Sequence, residues 1–155
     1  MTEPGDTDDI GRMPVEPLMP VDGAGLEILD RAACLQLLAR GGVGRIGINV
    51  GALPRVLPVR FALDDDRVVL SVGTDTALDR ATCDAVVGFE TDGTEPESDR
   101  FWSVSLIGLC RRLSEPAELA RADALALPSW LTGRPHRFVS VSTQHLSGRR
   151  SVAGA

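Results

Sequence analysis

The sequence predicts a mainly β fold with helical additions, in which an antiparallel barrel is built from hairpins and short helices are inserted between strands. Two observations lead to this class. Most apolar segments are short, rich in β-branched residues and joined directly by turn signals. Strands and helices do not alternate regularly, as they would in a parallel α/β sheet. The 155 residues suffice for one domain with a sizeable core.

The expected strands begin with a short one over residues 26–29. Six longer ones follow, over residues 43–50, 55–63, 67–72, 84–91, 101–113 and 136–143. Apolar residues alternate along 55–63, but Pro58 interrupts that strand and predicts an edge position or a bulge, because proline cannot donate to a neighbour. In the strand over 101–113, Trp102 and Ser103 begin an alternation of apolar and polar faces.

Three helices are expected, over residues 31–40, 75–82 and 114–127. Asp30 is a suitable N-cap for the first, since its carboxylate can accept a hydrogen bond from a free amide of the first turn, and Gly41 is suited to end it. The third has Ser114 as its expected N-cap and Pro116 in its first turn.

The negative charge lies mainly at the N-terminus. Of the net charge of −6, residues 1–25 supply six acids against one arginine, and they also hold four prolines and four glycines. Such a segment buries too little apolar surface to offset its ordering entropy. We therefore expect a disordered acidic tail over 1–25, a folded domain over 26–151 and a C-terminal tail over 152–155.

Composition excludes several classes of protein. No run approaches 18 apolar residues and no basic-then-apolar leader opens the chain, which argues against a membrane span and a secretory signal. The acidic balance argues against a nucleic-acid binder. The cysteines Cys34, Cys83 and Cys110 form no CxxC and stand in apolar contexts, so reduced, buried thiols of a cytoplasmic protein are expected.

Familiar catalytic and metal motifs are missing or misplaced. The glycines of GVGRIG, residues 42–47, follow a helix and open a strand, the reverse of the order that a dinucleotide fingerprint needs. His136 and His145 have no metal-ligand spacing, and no nucleophile elbow or catalytic triad can be identified. The acidic residues over 95–99 do not have the spacing of a calcium loop. No residue is therefore assigned a catalytic or metal-binding role.

Two features could bind an anion. Arg55 and Arg60 lie on opposite faces of the strand that contains Pro58, and one of them could flank a concave site; solvated strand arginines are the alternative. Thr74 and Thr76 stand at the start of the short helix expected over 75–82, where hydroxyls and free amides can receive an anion, although such residues often serve only as caps.

Several segments together resemble the pyridoxamine 5′-phosphate oxidase-like proteins, which are FMN-binding split barrels common in actinobacteria. The segments are VGRIGINVGALPRVLPVRFALDDDRVVLSVG, TALDRA, DAVVGFETD, FWSVSLIGLCRRLSEPAEL and HRFVSVSTQHLSGRR. The resemblance covers about residues 26–151, and its specificity comes from the order and spacing of pieces such as VGR, PxxxPVxF and WSVxxxG.

The resemblance implies a six-stranded antiparallel split barrel, a homodimer and FMN held in a groove between subunits. By position, the residues implied in flavin binding are Arg55, Val59 and Arg60 along the flavin, Thr74, Thr76 and Arg80 near its phosphate, Trp102 and Ser103 from the partner subunit, and Arg149 closing the site.

One stretch departs from the pattern. Many relatives carry a lysine directly after the Ser/Thr of the short helix, as in GTKL, whereas this chain has DTAL with Ala77 at that place. The change removes a cation, and Asp75 adds a negative charge beside the expected phosphate. Phosphate binding should weaken unless Arg80, one helical turn onward, compensates.

Three functions follow as hypotheses. The first is a flavin-dependent oxidoreductase, in which the cofactor does the chemistry and the protein supplies binding and orientation. The second is a binding protein without turnover that holds flavin, a deazaflavin or haem for storage or sensing. The third is a scaffold that has lost flavin binding and makes only protein contacts.

Overall fold

A computed structural model describes residues 20–128, 130 and 133–153 of the chain. Their helices and strands are, in chain order, β1 Glu27–Leu29, α1 Arg31–Leu38, β2 Gly42–Val50, β3 Leu53–Asp64, β4 Arg67–Gly73, α2 Ala77–Ala81, β5 Ala85–Thr94, β6 Phe101–Arg112, α3 Pro116–Ala124, β7 His136–Ser142 and β8 His145–Arg150. No helix among these residues is long and apolar enough to cross a membrane.

The strands form a closed six-stranded antiparallel barrel in the order β6–β5–β2–β3–β4–β7, and β7 returns to pair with β6. These are the six longer strands that the sequence predicts, so the fold class is confirmed. One edge of β6 is shared: residues 102–107 pair with β8 and residues 110–112 pair with β7. The chain leaves the barrel between β7 and β8, and β1 extends the sheet beyond β8. The sequence analysis did not predict β8.

The barrel interior is filled by the alternating apolar residues of its strands. Along β6, Trp102, Val104, Leu106 and Cys110 are all buried, as the alternation predicts. Gly108 continues this inward row, and a Cβ there would overlap the backbone of Ser142. The end of β7 can therefore approach β6 closely only because this position lacks a side chain.

Strands β3 and β4 diverge partway along β3. Residues 53–61 of β3 pair with β2, but β4 joins β3 only over residues 61–64, so residues 53–60 have a free edge on the β4 side. Pro58 lies in this free stretch, which confirms the predicted edge position. Pro54 occupies it as well, and two prolines remove backbone donors that another strand would need.

The helices agree with the prediction in place but not in every boundary. At α1, the Asp30 carboxylate accepts a hydrogen bond from the Ala33 amide at 2.8 Å, and Gly41 follows with φ +64°. At α3, the predicted cap is wrong: Glu115 occupies the N-cap position without a side-chain bond. The reason is that the Leu113 amide bonds to the carbonyl of Phe138, which keeps the chain extended past the end of β6.

Residues 20–25, the last part of the predicted acidic tail, are among the described residues. Residues 20–25 form a turn against β1, in which the Asp22 carboxylate accepts hydrogen bonds from the Ala24 and Leu26 amides. Asp22 also pairs with Arg149 of β8 at 2.9 Å. The rest of the predicted tail, residues 1–19, lies outside the described residues, so the tail over 1–25 stays a prediction.

The cysteines do not share one environment. Cys34 and Cys110 are buried, as predicted, but Cys83 is exposed. It lies in the turn between α2 and β5, where the chain passes over the barrel surface, so the prediction of three buried thiols is wrong for this residue.

Candidate functional site

The divergence of β3 from β4 opens a cavity of about 220 Å³. It lies between the two strands, α2 and the segment after α3, and we call it the β3–β4 cavity. Its walls are formed by Pro58, Val59 and Arg60 of β3, Ser71, Val72 and Gly73 of β4, Thr76 and Leu78 at α2, and Pro128 and Trp130. Most of this lining is apolar, as is usual where a small molecule binds.

The polar floor of the cavity follows from the strand register. Phe61 pairs with Leu70, and the pairing next in line would join Arg60 to Ser71, but the ladder stops there. Both side chains belong to the row opposite the buried Phe61 and Leu70, because successive residues of a strand face opposite sides. The splayed strands thus place an arginine and a serine against the same opening.

Both side chains carry a buried polar atom without a partner. Arg60 Nε and Ser71 Oγ are inaccessible to solvent and have no hydrogen-bond partner among the described residues. The guanidinium carbon of Arg60 lies 5.3 Å from the ring centroid of Trp130, a cation–π contact. Buried donors without acceptors are rare in folded proteins, so this pair is suited to an oxygen-bearing ligand.

In the segment before α2, most of the polar groups that could bind an anion already have hydrogen-bond partners within the chain. The Thr74 amide donates to the Pro135 carbonyl at 3.1 Å, and the Asp75 amide donates to the Asp79 carboxylate at 2.9 Å. The Thr76 hydroxyl donates to the Gly73 carbonyl at 2.8 Å and accepts from the Asp79 amide at 3.1 Å. These groups serve the start of α2, which leaves Arg60 and Ser71 as the described cavity residues whose side chains have a buried, unpaired polar atom.

Arg55 and Arg80 lie outside the cavity lining. Arg55 is exposed on the free stretch of β3 and stands opposite Ile48 in the ladder with β2. Arg80 is exposed too, and its guanidinium donates to the Asp75 carbonyl at 2.8 Å. Its charge therefore sits over the start of α2, beside the wall that Thr76 contributes.

Three predicted site residues lie on strands that do not neighbour β3 or β4. Trp102 is 6% exposed and packs inside the barrel, with the guanidinium carbon of Arg40 at 5.5 Å from its ring centroid. This placement makes Trp102 a core residue of the chain that carries it. Ser103 and Arg149 stand opposite each other in the β6–β8 ladder. Within one chain, the structure does not bring these residues to the cavity.

A second feature is an apolar patch on the outside of the barrel. One row crosses four ladders in register, from Val56 through Gly47, Gly88 and Ile107 to His145. The two glycines make a depression between the outer residues, and the surrounding hollow measures about 830 Å³. The most exposed apolar side chains around it are Val56, Val86, Ile107 and Leu109, and we call this patch the outer apolar face.

Charged residues border this face. Arg45 Nη1 lies 3.3 Å from a carboxylate oxygen of Glu90 and 3.3 Å from one of Asp92. Partial burial raises the pKa of Glu90, although the charge of Arg45 acts in the opposite direction. The arrangement gives an apolar centre with a polar border, which is typical of a surface that meets another protein.

Sequence reasoning missed Ser71 and Trp130. A signal for Ser71 exists, since it is the single polar side chain in the run VVLSV, but only the register shows that it faces Arg60. Trp130 lies between the helix expected over 114–127 and the strand expected over 136–143, and nothing in the sequence there indicates that its ring lies over an arginine.

The sequence of this chain is similar to that of a protein family and to that of a bacterial protein. The family model described as pyridoxamine 5′-phosphate oxidase matches residues 30–150. The uncharacterised protein Rv0080 of Mycobacterium tuberculosis is 33% identical over 131 residues, covering 81% of this chain and 85% of that protein.

Solved structures of similar proteins have the same fold as this chain. The FAD binding protein from Mycobacterium smegmatis superposes with a TM-score of 0.69 at 28% identity, covering 80% of this chain and 96% of that one. A conserved protein of unknown function from Corynebacterium diphtheriae superposes with a TM-score of 0.66 at 29% identity, covering 82% and 98%. The predicted split-barrel fold is confirmed by these neighbours.

Proposed function

Because the chain belongs to the pyridoxamine 5′-phosphate oxidase family, a family of flavin-binding split barrels, we propose that it binds a flavin, with part of the flavin in the β3–β4 cavity. One observation carries the proposal: Arg60 Nε and Ser71 Oγ are buried without partners in a cavity that is otherwise mostly apolar. A flavin offers carbonyl, hydroxyl and phosphate oxygens on a large apolar ring system, which matches this combination. FMN is the proposed form.

The size of the cavity supports a site completed by a second subunit. Pockets that enclose a whole cofactor-sized ligand usually measure about 300–1,000 Å³, whereas this one measures about 220 Å³. A flavin seated here would leave part of its surface uncovered. We propose a homodimer that joins through the outer apolar face, because exposed apolar patches of this kind mark interaction surfaces. In that dimer, Ser103 and Arg149 are the proposed contributions of the second subunit.

We further infer an oxidoreductase that acts on a small molecule. A bound flavin supplies electron or hydride transfer. Arg60 is the one ionisable residue in the described lining of the cavity, and a guanidinium serves as a hydrogen-bond donor rather than as a proton carrier, so these residues offer no general acid or base. Its residues would instead bind and orient: Arg60 and Ser71 toward ligand oxygens, and Trp130 toward a flat ring.

The cavity favours a flavin over haem. Haem iron takes an axial ligand such as histidine, cysteine, methionine or tyrosine. The chain has two histidines, His136 and His145; both are exposed, and neither lines the cavity. A flavin needs only hydrogen-bond donors and an apolar wall, which the described residues provide.

Titration of the purified full chain with FMN, FAD and riboflavin, followed by flavin fluorescence, tests the proposal. Arg60→Gln and Ser71→Ala should each weaken the best ligand, and Arg60→Gln should do so by about ten- to a hundred-fold, since a charge-assisted contact is worth about 1.5–3 kcal/mol. Arg121→Gln is the matched control, because that arginine is exposed on α3. Absence of binding to all three flavins at 100-fold the protein concentration, or equal losses in the control, contradicts the proposal.

A further inference from the structure

Asp79 is the single fully buried charged side chain among the described residues, with 1% of its surface exposed. Its Oδ1 lies 3.2 Å from Arg112 Nη2 and 3.1 Å from Arg137 Nε. Its Oδ2 accepts a hydrogen bond from the Asp75 amide at 2.9 Å. One carboxylate thus joins α2, the end of β6, the start of β7 and the turn before α2.

The two arginines are fixed by the barrel. Arg112 stands opposite Val139 in the β6–β7 ladder, and Arg137 precedes Val139 by two residues on the same face of β7. Both guanidinium groups therefore sit at one end of the barrel, and Asp79 supplies the negative charge between them. A buried carboxylate held by two arginines is costly to disturb, because removing it leaves two cations side by side.

The helix that carries Asp79 has little stability of its own. Five residues are far too few for an isolated helix in water. Its start depends on the Asp79 side chain, which holds the amide of Asp75, a residue in the left-handed region at φ +63°. Its N-cap depends on the Asp79 amide, which donates to the Thr76 hydroxyl.

We propose that Asp79 is a positioning residue of the β3–β4 cavity. It fixes the first turn of α2 to the barrel end, and through that turn it places Thr76 and Leu78 as the wall that faces Arg60 and Ser71. The inference rests on the proposed flavin site for its ligand readout. Asp79 itself lines no part of the cavity.

Asp79→Asn is the variant that tests the proposal, because it keeps the shape and an acceptor for the Asp75 amide but removes the charge. Glu118→Gln is the matched control. Glu118 also joins a helix to two barrel arginines, Arg67 and Arg111, but it belongs to α3 and lines no part of the cavity. Both variants lose a carboxylate held by two arginines, so both should lower the melting temperature.

The readout is the rise in melting temperature that saturating FMN produces, together with the dissociation constant of FMN at a temperature where each variant is folded. A purely structural role lowers the melting temperature with and without FMN by the same amount. The positioning role predicts that Asp79→Asn weakens FMN at least ten-fold and reduces the FMN-induced rise, while Glu118→Gln changes neither. Equal FMN affinity in Asp79→Asn and the unmodified chain overturns the proposal.

Hydrogen exchange on the ligand-free proteins separates this inference from the proposed function. Asp79→Asn should speed exchange of the α2 amides selectively, and unchanged α2 exchange overturns the proposal even if the unmodified chain binds no flavin. Should Asp79→Asn fail to fold, Arg137→Gln leaves Asp79 paired with Arg112 and should weaken FMN in the same direction by several-fold. Unchanged FMN affinity and unchanged α2 exchange in that variant also overturn it.

Discussion

At the scale of single residues, the three thiols differ in reactivity because their surroundings differ. Burial, with a smaller contribution from the nearby Asp84, raises the pKa of Cys110 to about 12. Burial also raises the pKa of Cys34, with a contribution from Asp30. Since the thiolate is the reactive form, neither buried cysteine should react near neutral pH. Cys83 is exposed, so a reagent in solution can reach its sulfur.

A thiol titration checks this difference. With a chromogenic disulfide reagent at pH 8, one thiol of the native protein should react within minutes, and all three should react in denaturant. Cys83→Ser should abolish the fast reaction and leave two thiols that react only after unfolding. Fast reaction of a second thiol in the native protein would mean that the buried sites open easily.

Ala77 is the residue where a single substitution should strengthen FMN binding. It opens α2 directly after Thr76, beside the cavity wall, so a lysine there could meet a phosphate at close range. Ala77→Lys should tighten FMN by about ten- to a hundred-fold, the equivalent of about 1.5–3 kcal/mol for a charge-assisted contact. Riboflavin, which has no phosphate, should not respond.

Asp75→Asn should also strengthen FMN binding, but less, because it removes a negative charge that repels the phosphate without adding a positive one. Asparagine tolerates the left-handed conformation of this residue, so the backbone should not change. Arg80→Ala should weaken FMN, since its guanidinium lies at the start of α2. If Ala77→Lys tightens the binding of riboflavin as much as that of FMN, the phosphate of FMN does not lie at α2.

At the scale of elements, α3 is attached to the barrel by Glu118. The hydrogen bond from Arg111, with a second from Arg67, lowers the pKa of Glu118 from 4.5 to about 2. The folded protein therefore keeps this carboxylate charged at pH values where the unfolded chain has protonated it. The stability that Glu118 contributes is present above pH 4.5 and is lost as the pH falls toward 2.

Urea unfolding at pH 6, 4 and 3 checks this prediction. The unmodified chain should lose stability over that range more steeply than Glu118→Gln, and the difference between the two proteins should narrow at pH 3 without closing, because pH 3 still lies above the folded-state pKa of about 2. Glu97→Gln is the control, because that side chain is exposed in the loop after β5. Parallel pH dependences for the unmodified chain and Glu118→Gln would contradict the assignment.

The six barrel strands could be predicted from sequence because each carries its own pattern, whereas β8 could not. The sequence HLSGRR has one large apolar residue, and it forms a strand because the first half of β6 has an edge that no barrel strand covers. Gly148 lets it pass beneath α1 and β1, because a Cβ there would overlap the Cys34 sulfur of α1 and crowd the Leu29 side chain of β1. Neither the uncovered edge nor the close approach can be recognised within the segment itself.

The candidate site was predictable only in part, for a related reason. Arg60 and Val59 could be identified from the PxxxPVxF segment, but Ser71 joins them through the register of β3 and β4. The Thr76 hydroxyl was expected to face a phosphate, yet it is used by the cap of α2. Local sequence predicts which groups are polar, and tertiary structure decides which of them remain unpaired.

At the scale of the whole molecule, the N-terminal turn helps to hold β8. Asp22 pairs with Arg149, and the Ile28 amide donates to the Pro20 carbonyl at 2.6 Å. Deletion of residues 1–25 should therefore lower the melting temperature by a few degrees, since about 1 kcal/mol shifts the midpoint of a domain this size by about 2–4 °C. Deletion of residues 1–19 is the control and should leave the midpoint unchanged; equal midpoints for both deletions would show that the turn contributes nothing.

The second whole-molecule prediction concerns the homodimer. Ile107 is 60% exposed at the centre of the outer apolar face, between Gly88 and His145 in the register. Ile107→Glu would bury a carboxylate in a self-complementary interface, where the same patch occurs on both subunits, so each dimer would carry two such charges. Light scattering should give twice the chain mass of 16.5 kDa for the unmodified protein and the chain mass for the variant.

The same variant should also lose FMN, because the β3–β4 cavity encloses only about 220 Å³ and needs cover from a second body. Ala120→Glu is the matched control: it adds the same charge at an exposed position of α3, and it should change neither mass nor FMN affinity. Two results would each contradict part of the argument. If the unmodified chain is a monomer at micromolar concentration, the proposed dimer is wrong. If Ile107→Glu is a monomer that still binds FMN with full affinity, one chain encloses the ligand by itself.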